Sequence, residues 1–152
     1  MEPRMRNPAL IVTDALKPIQ ALWASAEQGG VPPKTLHLIH LRTSQINGCS
    51  VCLDNGARTA KQTGETEERL ATVAAWRHAP YFNDAERAAL ALTEAVTRLS
   101  DRPDPVPDEI WKEAAEHYDE RGLAALLIAI VTVNVFNRLN VSTQQVAAQW
   151  HA

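Results

Sequence analysis

Apolar positions along this chain recur at helical spacing and not in the strict alternation of a strand. Leu36, Ile39, Leu41 and Ile46 follow Pro32 and Pro33 at mixed helical intervals, and the run GLAALLIAIVTV (122–133) is apolar around its whole circumference. No segment joins β-branched alternation to a hairpin signal. Pro18 predicts a helix through IQALWASAE that Gly29 and Gly30 close, and Pro32 and Pro33 open a second that ends near Asn47 and Gly48. Gly48 or Ser50 begins a third, running to Gly64, and Glu65 and Thr66 open a fourth, TEERLATVAAWRHA, which Pro80 ends. Asn83 caps DAERAALALTEAVTRL, with Glu86 completing a capping box. DRPDPVP (101–107) reads as a stiff loop, Asp108 leads into EIWKEAAEHY, and Gly122 breaks the chain before LAALLIAIVTVNVFNRL. A short helix is expected from Ser142 to Trp150. The pattern predicts an all-α bundle of about seven or eight helices, with residues 1–152 forming one domain.

Totals narrow the function. The 152 residues are 45% hydrophobic, enough for one core, and the net charge of −3 with a pI near 5.9 gives no footprint for nucleic acid. The apolar run falls short of the roughly 20 residues of a membrane span and reads as a buried core helix. An N-terminus without an apolar stretch and cleavage site points to a soluble, cytoplasmic protein with no membrane partner. A helix apolar all round must be surrounded, either as the centre of the monomer or by a second subunit; a homo-oligomer is the expectation.

The chemistry concentrates in SQINGCSVCLDNG (44–56), which holds the only cysteines, Cys49 and Cys52. At the start of a helix these are i and i+3 on one face, within reach of a disulfide. Unpaired N–H groups and the positive end of the helix dipole stabilise a thiolate there, which can attack a peroxide oxygen or a disulfide sulfur while its neighbour resolves the product. A zinc knuckle is the rival, but no second CxxC exists and the five histidines are scattered. Two small buried residues without a role is the other alternative.

LRTSQINGCSVCLDNGARTAKQTGETEERLATVAAWR resembles the core of the alkylhydroperoxidase D-like family of the carboxymuconolactone decarboxylase superfamily, and the likeness in pattern continues through YFNDAERAALALTEAVTRL to NVFNRLNV. The resemblance implies an all-helical fold assembled as trimers or hexamers, and a thiol peroxidase or disulfide-exchange activity on organic hydroperoxides. It implies that Cys52 meets peroxide and Cys49 resolves. It also implies a thiol reductant, such as a dihydrolipoyl group on a partner protein. No cofactor-binding motif is present, so reducing power must arrive by thiol exchange.

The family relay places a glutamate twelve residues before the first cysteine and a histidine four after the second; here those positions hold His37 and Gly56. An imidazole oriented by a carboxylate is a usual way to keep a thiolate ready, so its loss leaves the helix terminus to do the activating. If the second and third helices fold back about Gly48, His40 and Gly56 lie level, eight residues either side of the turn, and the imidazole can occupy the space glycine leaves. His37 or His40 is thereby a candidate substitute base, with the alternative that His40 faces solvent and His37 packs. Asp54 reads as structural. Trp76, Tyr81 and Phe82 line a hydroperoxide pocket or close the core; Asn134, Asn137 and Arg138 satisfy backbone groups or an interface. Beside the peroxidase stand two other readings: a catalytically degenerate oligomer or redox sensor, and a lactone decarboxylase, against which the CxxC counts.

Overall fold

Two helices with apolar residues on opposite faces organise the molecule, and the rest pack around them. The computed structural model describes residues 1–101 and 103–148, and among these the regular structure is all helical. Its helices are α1 (Pro8–Ile11), α2 (Leu16–Glu27), α3 (Pro33–Asn47), α4 (Ser50–Gln62), α5 (Glu67–Thr72), α6 (Asp84–Thr97), α7 (Asp108–His117) and α8 (Glu120–Ser142). On α3, Leu36 and Ile39 enter one cluster with Ala89 and Leu92 of α6 and Leu126 and Ile130 of α8. Leu38 and Leu41, turned away by the helical period, enter a second cluster with Val73, Trp76, Phe82 and Leu90. Both α3 and α6 are therefore buried on two sides and cannot shift without disturbing both clusters.

The ends of the elements correct several expectations. Pro18 lies inside α2, in its first turn, where its missing N–H costs nothing; the helix starts two residues earlier at Leu16. Gly122 does not break the chain: Asp119 caps α8 by accepting the Gly122 N–H at 2.8 Å, and the glycine sits in the first turn against Tyr118. The expected fourth helix is two elements, because α5 passes into a tighter 3₁₀ segment, Val73–His78, which is itself kinked at non-helical Ala75. That kink accompanies Trp76 and Arg77 both reaching Glu94, at 2.9 Å each. The capping box at Asn83 and Glu86 forms in both directions. Of the expected Ser142–Trp150 helix, α8 takes in Ser142, residues 143–144 and 147–148 form turns about an irregular pair, and Gln149 and Trp150 lie outside the described residues.

At 23 residues α8 is long and apolar enough to cross a membrane by length and composition, longer than the apolar run alone indicated. Its buried residues Leu126, Ala129, Ile130 and Val133 pack as a core helix does, against α2, α3 and α6. Val131 on the opposite side is 49% exposed, so the monomer does not surround this helix.

Candidate functional site

The turn between α3 and α4 is built by one glycine. Gly48 adopts φ 68°, ψ 31°, left-handed geometry that a side chain would strain, and its N–H turns back to the carbonyls of Ser44 and Gln45. The Cys49 N–H bonds Ser44 O at 3.0 Å, so the end of α3 is closed and the chain reverses directly into α4. Cys49 is the N-cap of α4: its Sγ accepts the Cys52 N–H at 3.3 Å, the place a serine hydroxyl usually fills. Cys49 and Cys52 are joined in a disulfide, with Cα atoms 5.3 Å apart. Both are buried, with Val51 and the ring of Phe136 packed over them.

A set of asparagines ties this turn to α8. Asn47 Nδ2 donates to Asn134 Oδ1 at 3.0 Å and to Asn137 Oδ1 at 2.9 Å, and Asn137 Nδ2 donates to Ser44 Oγ at 3.1 Å. Arg138 in turn donates to Asn134 Oδ1 at 2.5 Å. The polar end of α8 thus satisfies side chains at the α3 terminus and fixes where the cysteines stand. One turn further, Asn140 Nδ2 donates to Cys52 Sγ at 3.4 Å, and Asn7 Nδ2 donates to Asn140 Oδ1 at 2.6 Å. Sequence reasoning missed Asn7 and Asn140, which are 133 residues apart. Asn7-Pro8 is a recognisable N-cap and first-turn pair that could have revealed α1, but nothing local marks Asn140.

His40 fills the space beside Gly56. A Cβ on Gly56 would stand 3.2 Å from His40 Cδ2 and from Leu41 Cδ2 and 3.4 Å from His40 Nε2, which is the level pairing expected of a hairpin about Gly48. The ring also meets Trp23 edge-on, with centroids 5.9 Å apart. Desolvation pushes the His40 pKa down to about 4, against a hydrogen bond to the Cys52 backbone that raises it, while neighbouring His37 lowers it further. A backbone group that favours the charged imidazole is a carbonyl facing it, but burial outweighs that pull and the ring is neutral at pH 7. His37 lies a turn away, its Nδ1 3.2 Å from Thr63 Oγ1, and its pKa is lowered by desolvation against the opposing pull of Glu65 and Glu27. His37 and His40 share a cavity of about 250 Å³ with Trp23, Glu27, Gly56 and Phe136. A larger cleft of about 660 Å³ is bordered by Cys49, Asn140 and the N-terminal Met1 and Glu2.

The other singled-out residues are elsewhere. Asp54 pairs with Arg58 at 3.1 Å along α4. Trp76 and Phe82 close the second cluster and Tyr81 is exposed, so this aromatic group is apart from the thiols; Trp23 and Phe136 are the aromatics nearest the histidines and the disulfide. Among the described residues, no group of three or more His, Cys, Asp or Glu side chains is placed to hold a metal ion.

An all-helical chain with a Cys-x-x-Cys pair at a helix start has the architecture of an alkylhydroperoxidase D-like protein. Residues 15–95 match the carboxymuconolactone decarboxylase family, and this chain belongs to that family as an alkylhydroperoxidase D-like member. It is 33% identical over 138 residues to the uncharacterized protein YdfG of Bacillus subtilis, covering 91% of this chain and 92% of that one. It is also 33% identical over 128 residues to the uncharacterized protein YnjA of Escherichia coli, covering 84% and 68%. A solved structure from Agrobacterium tumefaciens, described as a protein of unknown function and candidate antioxidant defence protein AhpD, superposes with a TM-score of 0.88 at 28% identity over 96% of this chain and 98% of that one. The debrominase Bmp8 shares the fold with a TM-score of 0.78 at 21% identity, over 90% and 72%.

Proposed function

We propose that this protein is a thiol-dependent peroxidase that reduces organic hydroperoxides through a Cys49–Cys52 dithiol–disulfide cycle. The observation that carries the reading is the disulfide at the N-terminus of α4, with each sulfur meeting an N–H donor. In the reduced protein the Cys52 thiolate attacks one peroxide oxygen and the O–O bond breaks, leaving a sulfenic acid on Cys52 and an alkoxide that takes up a proton as alcohol. Cys49 then attacks the Cys52 sulfur, the S–O bond breaks, and the hydroxyl leaves as water with the Cys49 thiol proton. A dithiol, such as a dihydrolipoyl group on a partner protein, returns two electrons by thiol–disulfide exchange and is itself left as a disulfide. The cleft bordered by Cys49 is the entry we assign to that reductant.

His40 is the residue we place where the family relay histidine would act, reaching Cys52 from α3 instead of from α4. A pKa of about 4 makes it a weak proton acceptor for a thiol near 8.5, so we assign it the task of holding the Cys52 turn, and His37 the task of shaping the cavity beside it. The partly exposed apolar row of Leu127, Ile128, Val131 and Val135 on α8 supports assembly with further copies as a trimer or hexamer. We take residues 1–152 as one domain acting in the cytoplasm, where thiol donors keep such a pair reduced.

The test is consumption of cumene hydroperoxide by reduced protein with dihydrolipoamide as donor, beside Cys52→Ser. Turnover that Cys52→Ser abolishes is expected. Reversible disulfide formation without turnover would overturn the peroxidase and favour a redox sensor, the reading the two missing relay residues support.

A further inference from the structure

The dithiol chemistry must carry negative charge on Cys52, which raises the question of what holds it. Cys49, as N-cap, takes the Cys52 N–H and faces the open end of α4. Cys52 sits one turn in, its own N–H spent on Cys49 and its carbonyl shared with a neutral histidine. What does meet its sulfur is the side-chain amide of Asn140, at 3.4 Å.

The orientation of that amide is fixed by a chain of three contacts. The Ala9 backbone N–H can only donate, and it lies 2.8 Å from Asn7, so the Asn7 atom facing it is the acceptor Oδ1. The other end of Asn7 is then Nδ2, which can only donate, and it lies 2.6 Å from Asn140. The Asn140 atom receiving it must be Oδ1, which leaves Nδ2 and its hydrogens turned toward Cys52 Sγ. Asn7 is 2% exposed and Asn140 5%, so water does not compete freely at any link. A backbone N–H at the start of α1 thus determines that the group against the sulfur is a donor.

We propose that Asn140 is a catalytic residue of the dithiol cycle, the donor that stabilises the Cys52 thiolate in place of the missing imidazole relay, and that Asn7 is its positioning residue. A sulfur in a disulfide is a weak acceptor, whereas a thiolate is a strong one, so the contact strengthens when the S–S bond breaks and its electron pair stays on Cys52. The meaning of the contact rests on the proposed dithiol chemistry, but its test needs no turnover.

The experiment is a pH titration of Cys52 by ultraviolet thiolate absorbance, in a Cys49→Ser background that leaves one thiol and a good N-cap. Asn140→Leu is expected to raise the Cys52 pKa by about one unit, a tenfold loss of thiolate below the pKa. Asn140→Asp keeps the volume and the bond from Asn7 but turns an oxygen to the sulfur, and should raise it further. Asn7→Ala should raise it by a smaller amount with Asn140 still present, which also covers the case in which the Asn140 variants do not fold. An unchanged Cys52 pKa in a folded Asn140 variant, or in Asn7→Ala where those do not fold, overturns the proposal. Raised values without any peroxide turnover in the two-cysteine protein would leave it standing and discard the peroxidase instead.

Discussion

The neutral state of His40 makes a measurable demand on stability. In the unfolded chain its imidazole titrates near 6.5, and in the folded protein burial holds it to about 4. The native state therefore refuses a proton that the unfolded chain accepts, and stability falls as the pH drops from 6.5 towards 4, with the loss complete below the folded value. The distance from 6.5 to about 4, at about 1.4 kcal/mol per pH unit, sets a ceiling of about 3 kcal/mol. Urea unfolding of the oxidised protein between pH 7.5 and 4 is the assay, run beside His40→Gln, which fills much of the same space without titrating. The His37 pKa is lowered too, by desolvation, but His37 is present in both proteins and largely cancels in the difference. The wild-type curve should descend more steeply than that of His40→Gln by about 3 kcal/mol over this interval. Parallel curves would mean that His40 takes up a proton in the folded state as easily as in solution, and the packing argument at Gly56 would fail with it.

Two further substitutions probe the same scaffold. Gly56→Ala gains about 1 kcal/mol of helix propensity, but its Cβ would lie 3.2 Å from both His40 Cδ2 and Leu41 Cδ2. With the ring held between Trp23 and the Cys52 carbonyl, the melting temperature should stay level or fall; a rise of about 2–4 °C, the full helical gain, would show that the ring moves freely. Glu94→Gln removes a buried carboxylate that bonds Arg42 at 2.7 Å, Arg77 at 2.9 Å and Trp76 Nε1 at 2.9 Å. Desolvation works to raise the Glu94 pKa, but Trp76, Arg77 and Arg42 outweigh it and hold it below the usual carboxylate value. The variant should lose about 3 kcal/mol at pH 7 by calorimetry or urea titration, and the deficit should shrink as the pH falls through the lowered Glu94 pKa; a loss independent of pH would contradict the ion-pair account.

What the sequence made legible was whatever a short stretch of chain decides by itself. The Asn83 and Glu86 box forms because each side chain reaches a backbone N–H three residues away. The level pairing of His40 with Gly56 follows from counting outward from one left-handed glycine, since a tight reversal leaves little freedom in how the two helices align. Misses fall where partners are distant in sequence. Glu94 is an unremarkable surface-type residue until Arg42, 52 positions earlier, and Trp76 close around it. Gly122 reads as a helix breaker until Asp119 is seen to use its N–H as a cap. Asn7 and Asn140 carry no local signal of their meeting, because it depends on the N-terminal segment crossing the end of α8, where the Arg4 N–H bonds Thr143 O at 2.9 Å.

That same segment changes how the missing relay is understood. Glycine in place of the family histidine empties a space in a helix where it is about 1 kcal/mol less favourable than alanine, and a ring from α3 refills the space without restoring the chemistry. Burial holds that ring at a pKa of about 4, so at neutral pH it brings neither a positive charge nor an effective base to the sulfur. The group that does touch Cys52 Sγ is an amide held by Asn7, the N-cap of the first helix. Both groups are uncharged near pH 7, so negative charge on Cys52 is met by oriented dipoles that have no proton to lose. A site built this way exchanges a titrating relay for fixed geometry, and it ties the reactivity of Cys52 to the docking of the N-terminal segment against α8.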